Sequence, residues 1–171
     1  VNDCMHEILD NQNVNIMFSD PYVNSALSSL MLTYMIEGMR TEFGFTIGEL
    51  ELQLGINRTV TCGQDRSFNP NQYINFNFDN REDADNYTCQ CLQRVLGIEP
   101  DQLQTNPEHH RWLRITSENG FVEIRPDQGI GGGWWSQSRY SELETLGGDV
   151  MATKSQKRDT IIYYLYLKRN E

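Results

Sequence analysis

The sequence has little of what marks the common functional classes. It contains no apolar run that approaches a transmembrane helix, and no signal peptide. The cysteines are Cys4, Cys62, Cys89 and Cys91, and they show neither two close pairs nor a Cys/His set, so the spacing does not point to zinc. Cys89 and Cys91, two apart, face different ways on a helix. All the cysteines read as reduced thiols of a cytoplasmic protein. Histidine is scarce: beyond His109 and His110 there is only His6, near a terminus, so a metal site would need carboxylates placed by coincidence. No Gly-x-x-x-x-Gly-Lys phosphate loop, internal repeat or heptad is present, and no cofactor is expected. Two glycosylation triplets, at Asn57 and Asn86, carry little weight without a signal peptide.

An excess of basic charge is missing as well. The net charge is −10 and the isoelectric point about 4.7, which argues against strong non-specific attraction to nucleic acid or to anionic membrane. The charge is unevenly placed. Residues 1–106 hold 15 acids and 5 bases, whereas residues 107–171 hold 9 of each. The neutral second part leaves room for a local basic site.

What is present is a moderately apolar chain of 171 residues, enough for one domain with a sizeable core. It is expected to be a single domain over 1–171. The start at Val1 suggests a piece cut from the C-terminus of a longer polypeptide. Residues 14–18, VNIMF, read as a strand ended by Asp20-Pro21-Tyr22. Leu27, Leu30, Met31, Tyr34 and Met35 then predict a helix from about Ser25 to Glu42, with Gly44 as its stop. Glu49 to Leu54 alternates as a half-buried strand, residues 55–70 read as a loop, and Gln72 to Phe78 alternates again. A second helix is expected from about Asn80 to Leu96, with Glu82 and Asp83 suiting its positive start, Cys91 in its apolar face and Gly97 as its end. Glu99 to Pro107 reads as a linker.

The densest stretch is HHRWLRITSENGFVEIRPDQGIGGGWW, residues 109–135. Arg111 to Thr116 and Phe121 to Arg125 read as strands joined by an Asn119-Gly120 hairpin turn. Thr160 to Lys168, TIIYYLYLK, reads as a central strand apolar on both faces. The order β-α-β-(β)-α-β-β-β implies an α/β fold, or α+β, with helices packed on one mixed sheet.

Two segments resemble a known family. One is IMFSDPYV, residues 16–23, followed by a long apolar helix. The other is the His-x-Arg of His109 and Arg111, then a strand, Asn119-Gly120, a strand and a glycine turn before aromatics. Together they resemble the phospholipase-D-like C-terminal domain of MIT-domain proteins. They also resemble C-terminal domains of helicase-like proteins in bacterial phage-defence islands. The matching positions in the second segment are His109, Arg111, Leu113, Ile115, Asn119-Gly120, Ile124, Arg125, Asp127, Gln128, Gly129, Gly131 and Trp134. The resemblance, over about residues 14–168, implies a phospholipase-D-like half. Full enzymes of that kind need two HxK(x)4D motifs, one histidine attacking phosphorus and the other protonating the leaving group. Here Arg111 stands for the lysine, Thr116 for the aspartate, and no second copy exists.

Each candidate has a plainer reading beside the functional one. His109 is either a retained phosphate-facing residue or a surface histidine at a strand start. Arg111 and Arg125 either converge on a phosphate or are held in ion pairs, Arg125 with Asp127 or with the acidic first part. The Asp127-Gln128-Gly129 turn leads to Trp134 and Trp135, of which one is core and the other can stack on a base or a partner side chain. Asp20 and Tyr22 lie at a strand end where ligands gather in open α/β sheets, although Asp20 also suits a helix cap.

The leading expectation is a non-catalytic accessory domain of a larger, helicase-like defence protein. Its partner would be the rest of its own polypeptide, another protein or nucleic acid. A membrane- or protein-binding module of the MIT-associated kind is the second reading, and the acidic balance disfavours it. The third is a phosphodiesterase that pairs two His109 residues in a homodimer.

Overall fold

Strand alternation organises the molecule. The computed structural model describes residues 1–21, 23, 26–55, 81–105, 110–126 and 161–168. Their elements are α1 (Asn2–Leu9), β1 (Asn13–Asp20), α2 (Ala26–Phe43), β2 (Thr46–Leu54), α3 (Arg81–Leu96), β3 (Gln102–Gln104), β4 (Trp112–Ser117), β5 (Gly120–Pro126) and β6 (Ile161–Leu167). The six strands form one mixed sheet in the order β3-β2-β1-β4-β5-β6. β1, β2 and β3 are parallel, and β4, β5 and β6 continue the sheet antiparallel. The fold is α/β, as the element order implies.

One row of the ladder, Leu50-Ile16-Ile115-Val122-Leu165, crosses five strands, and Leu103-Leu52-Phe18-Leu113-Ile124 forms the next. These aliphatic residues share one face because side chains alternate along a strand. Three helices meet that face in a single core with Ile8, Leu9, Met31, Leu32, Ile36 and Leu92. The β1-α2-β2 and β2-α3-β3 crossovers step in one direction, so right-handed connections place α2 and α3 on the same side. Between these helices the Ser29 and Thr88 hydroxyls lie 2.8 Å apart and satisfy each other. Gly44 (φ +65°) and Gly97 (φ +72°) follow α2 and α3 as expected for helix stops.

Three expectations change. The chain opens with a helix where the sequence reading starts with a strand. Met5, Ile8 and Leu9 recur at helical spacing, and Ile8 and Leu9 are fully buried. The carbonyls at its end are taken up by the distant hairpin: the Ser117 hydroxyl donates to Ile8 O at 2.6 Å and the Asn119 amide to Glu7 O at 3.0 Å. Second, the linker Glu99 to Pro107 contains the strand β3, whose single apolar residue, Leu103, gives no alternation to read. Third, β6 is not central. It is the outermost strand on its side among the described residues, and Ile162, Tyr164 and Tyr166 are exposed. The expected strand at Gln72 to Phe78, and nearly all of the loop 55–70, lie outside the described residues.

The hairpin glycine is constrained from two sides. Gly120 has φ +148°, and a Cβ there would lie 1.8 Å from Tyr166 O. Gly120→Ala should therefore lower the unfolding free energy in urea by about 2–4 kcal/mol. A loss under about 0.5 kcal/mol would show that the turn accommodates a side chain.

Candidate functional site

The two family-like segments are far apart in sequence and meet in space because β1 and β4 are neighbours. Ser19 pairs with Trp112 as the last step of their ladder, and one residue beyond lie Asp20 and Arg111. The buried Ser19 hydroxyl is 3.2 Å from His110 O and 3.3 Å from Gln53 Oε1, which ties β1, β2 and the lead into β4 together. Asp20 is buried, and its carbonyl accepts the amides of Gly55 at 3.1 Å and Val23 at 3.5 Å. Arg111 is half-buried and His110 exposed. Because β5 is antiparallel to β4, Pro126 also reaches this end of the sheet, as does Ile161 at the start of β6. The sheet end thus collects the C-terminus of β1 and the stretches that flank His109 and Asp127. His109, Asp127, Gln128, Trp134 and Tyr22 themselves lie outside the described residues.

Arg81 belongs to the same end and was not singled out from the sequence. Its guanidinium donates to Leu54 O at 2.5 Å and Gln104 O at 3.1 Å, and pairs with Asp85 at 2.6 Å. It fastens the ends of β2 and β3 to the first turn of α3. An arginine at a helix start opposes the helix dipole, and that local disagreement was the available signal.

Arg125 is not directed into this end. It sits on the sheet face away from the helices, where its Nε meets Glu123 Oε1 at 2.5 Å. The other carboxylate oxygen of Glu123 accepts from Arg114 Nε at 2.7 Å and from Arg114 Nη2. Among the described residues Arg125 is held in an ion pair with Glu123 on the same strand. A two-residue spacing puts both side chains on one face, which makes this pair available without tertiary contacts.

Cys91 is buried in the core, and burial pushes its thiol up, beyond the opposing effect of the Tyr87 hydrogen bond and Arg94. It is a packing residue. Among the described residues no group of three or more His, Cys, Asp or Glu gathers to hold a metal ion, and no helix is long and apolar enough to cross a membrane.

A family model described as the DEAD/DEAH box helicase YjiV, C-terminal domain, matches residues 2–155. The chain belongs to this family. The match runs from α1 to past β5, so the convergence at the sheet end lies within the part shared with the YjiV C-terminal domains. No curated protein and no solved structure matches.

In this YjiV-type domain Glu123 is a carboxylate held by two arginines. Burial pushes its carboxyl up, but hydrogen bonds and charge from Arg114 and Arg125 outweigh that and hold it below the ordinary value of 4.5. A lowered folded value means its stabilisation is complete above 4.5 and is lost as pH falls through the lower folded value. The Tm difference between the protein and Glu123→Gln should be constant from neutral pH down to about 5 and shrink below that. A difference that stays unchanged down to about pH 2.5 would contradict the ionised, doubly paired state.

Proposed function

We propose that the chain is a non-catalytic accessory domain of a larger helicase-like protein, built on a degenerate phospholipase-D-like half. It recognises its partner at the sheet end where Asp20 and Arg111 lie side by side. The observation that carries this reading is the β1–β4 adjacency, which sets Asp20 and Arg111 one step beyond the paired Ser19 and Trp112. In open α/β sheets, strand ends beside a change of connection are where ligands are held.

The same geometry weighs against self-sufficient chemistry. Histidine-based phosphodiester cleavage takes one residue to attack and another to protonate the leaving oxygen. Apart from His109 and His110 the chain has only His6. That residue lies on α1, whose end is bound by Ser117 and Asn119 at the opposite end of β4. Six strand steps from Arg111 to Ser117 amount to about 20 Å, too far for a shared phosphate. His6 is also paired with Asp10 at 2.8 Å. His109 and His110, adjacent in sequence, do not supply the two opposed groups of an in-line displacement, so catalysis would need a second chain.

The test is turnover of bis(p-nitrophenyl) phosphate by the 171-residue chain. Hydrolysis should stay at the buffer rate, with no difference between the protein and His109→Ala. Hydrolysis above that rate which His109→Ala abolishes would overturn the accessory reading in favour of a dimeric phosphodiesterase.

A further inference from the structure

The sheet face turned away from the helices is the feature that the sheet-end reading leaves unexplained. On β4, β5 and β6 it carries aromatic rings interleaved with arginines, Trp112 and Arg114, Phe121 and Arg125, Tyr164 and Tyr166. Arg114 lies 5.0 Å from the centroid of Phe121 and 5.9 Å from that of Trp112, and Arg125 lies 4.8 Å from Tyr164. Phe121 and Tyr166 are stacked at 5.5 Å with 22° between their planes. Tyr164 is 46% exposed and Tyr166 55%. Exposed aromatics grouped on one face mark a surface that binds something.

We infer that this face stacks the bases of a single-stranded nucleic acid. Tyr164 and Tyr166, two residues apart on one strand, leave the backbone about 6.6–6.8 Å apart on the same face, a spacing that suits successive bases of an extended strand. Bases paired inside a duplex cannot reach a flat sheet face, so the rings select unpaired ones. The arginines add charge of the right sign. Glu123 lies between them with its side chain only 4% exposed, and both its oxygens are engaged, so two cations share one anion. Their own side chains remain 43% and 52% exposed.

The overall charge of −10 weighs against nucleic acid, so its placement decides the matter. Among the described residues the nearest carboxylates on this face beyond Glu123 are Glu49 and Glu51 on β2, with β1 between β2 and β4. The intervening β1 positions in the same rows are Asn15 and Met17, both uncharged. Two strand spacings put those acids about 10 Å from β4, one Debye length at roughly 0.1 M salt. The repulsion is screened where the rings lie. Membership in a helicase family supplies the occupant's chemistry, since a helicase generates unpaired strands. The inference rests on the helicase-associated part of the reading above and uses none of the sheet-end residues His109, Arg111 or Asp20.

Fluorescence anisotropy with a labelled oligothymidylate of roughly twelve nucleotides tests it, on the 171-residue chain. Binding should appear at about 50 mM salt and weaken with added salt at a log–log slope of about −1.4, as two phosphate contacts require. A duplex should bind roughly tenfold more weakly or worse. Tyr164→Ala and Tyr166→Ala should each cost roughly tenfold in affinity, while Tyr164→Phe and Tyr166→Phe, which keep the ring, should cost under about twofold. The Phe variants keep the ring contacts with Phe121 and Arg125, so their thermal unfolding should match that of the parent protein, and the Ala variants should stay folded at the assay temperature. The inference is overturned by absent binding at low salt, by equal binding of duplex, or by unchanged affinity in the Tyr164→Ala/Tyr166→Ala chain. It is also overturned if that double substitution releases a protein partner and leaves oligonucleotide affinity intact. Diester hydrolysis lost in His109→Ala, alongside intact ring-dependent binding, would remove the non-catalytic reading and leave this inference standing.

Discussion

Every central strand of this domain keeps its aliphatic residues on one face, and the rest of the structure follows from that one-sidedness. Val14, Ile16 and Phe18 on β1 meet Leu50, Leu52 and Leu54 on β2, and Leu113, Ile115, Val122 and Ile124 extend the layer across β4 and β5. Helices α2 and α3 close over this face, because two right-handed crossovers that step the same way can only land on one side. The α1 helix adds Met5, Ile8 and Leu9 to the same core. The opposite face is left with polar, charged and aromatic side chains, and there an arginine-clamped carboxylate and two exposed tyrosines are tolerated.

Strand β1 adds a second constraint. One edge pairs parallel with β2 and the other antiparallel with β4, so the direction of the sheet changes at β1. That change brings the start of β4 to the end of β1. It sets two segments separated by about ninety residues of sequence side by side. The family match covers both segments. The sheet end and the open face meet at Trp112, which pairs with Ser19 at the first and lies beside Arg114 on the second.

Much of this was legible in the sequence, and the limits have physical causes. Strong periodicity gave α2, α3, β4 and β5 nearly to their ends and β2 from Glu49 on, three residues past its start, since Gly44, Gly97 and Asn119-Gly120 are local signals for local geometry. The α1 helix was passed over because eight residues give only two turns, too few for periodicity to stand out. β3 has one apolar residue and exists through its pairing with β2, a tertiary cause with no local mark. In β6, isoleucines, leucines and tyrosines on both faces suggested burial, but hydrophobicity does not tell a central strand from an outer one that presents aromatics to solvent. The ion pairing of Arg125 could be expected, but not its partner. Glu123 is a partner because two arginines from adjacent strands close on its carboxylate.

The account stands or falls on the open face. Tyrosine nitration of the native chain with tetranitromethane, resolved by peptide mass spectrometry, measures it directly. Tyr164 and Tyr166, at 46% and 55% exposure, should react together and early, whereas Tyr34, packed against the core on α2, should react late. Protection of Tyr164 and Tyr166 to the level of Tyr34 would mean that this face is covered within the domain, and it would contradict the one-sided architecture.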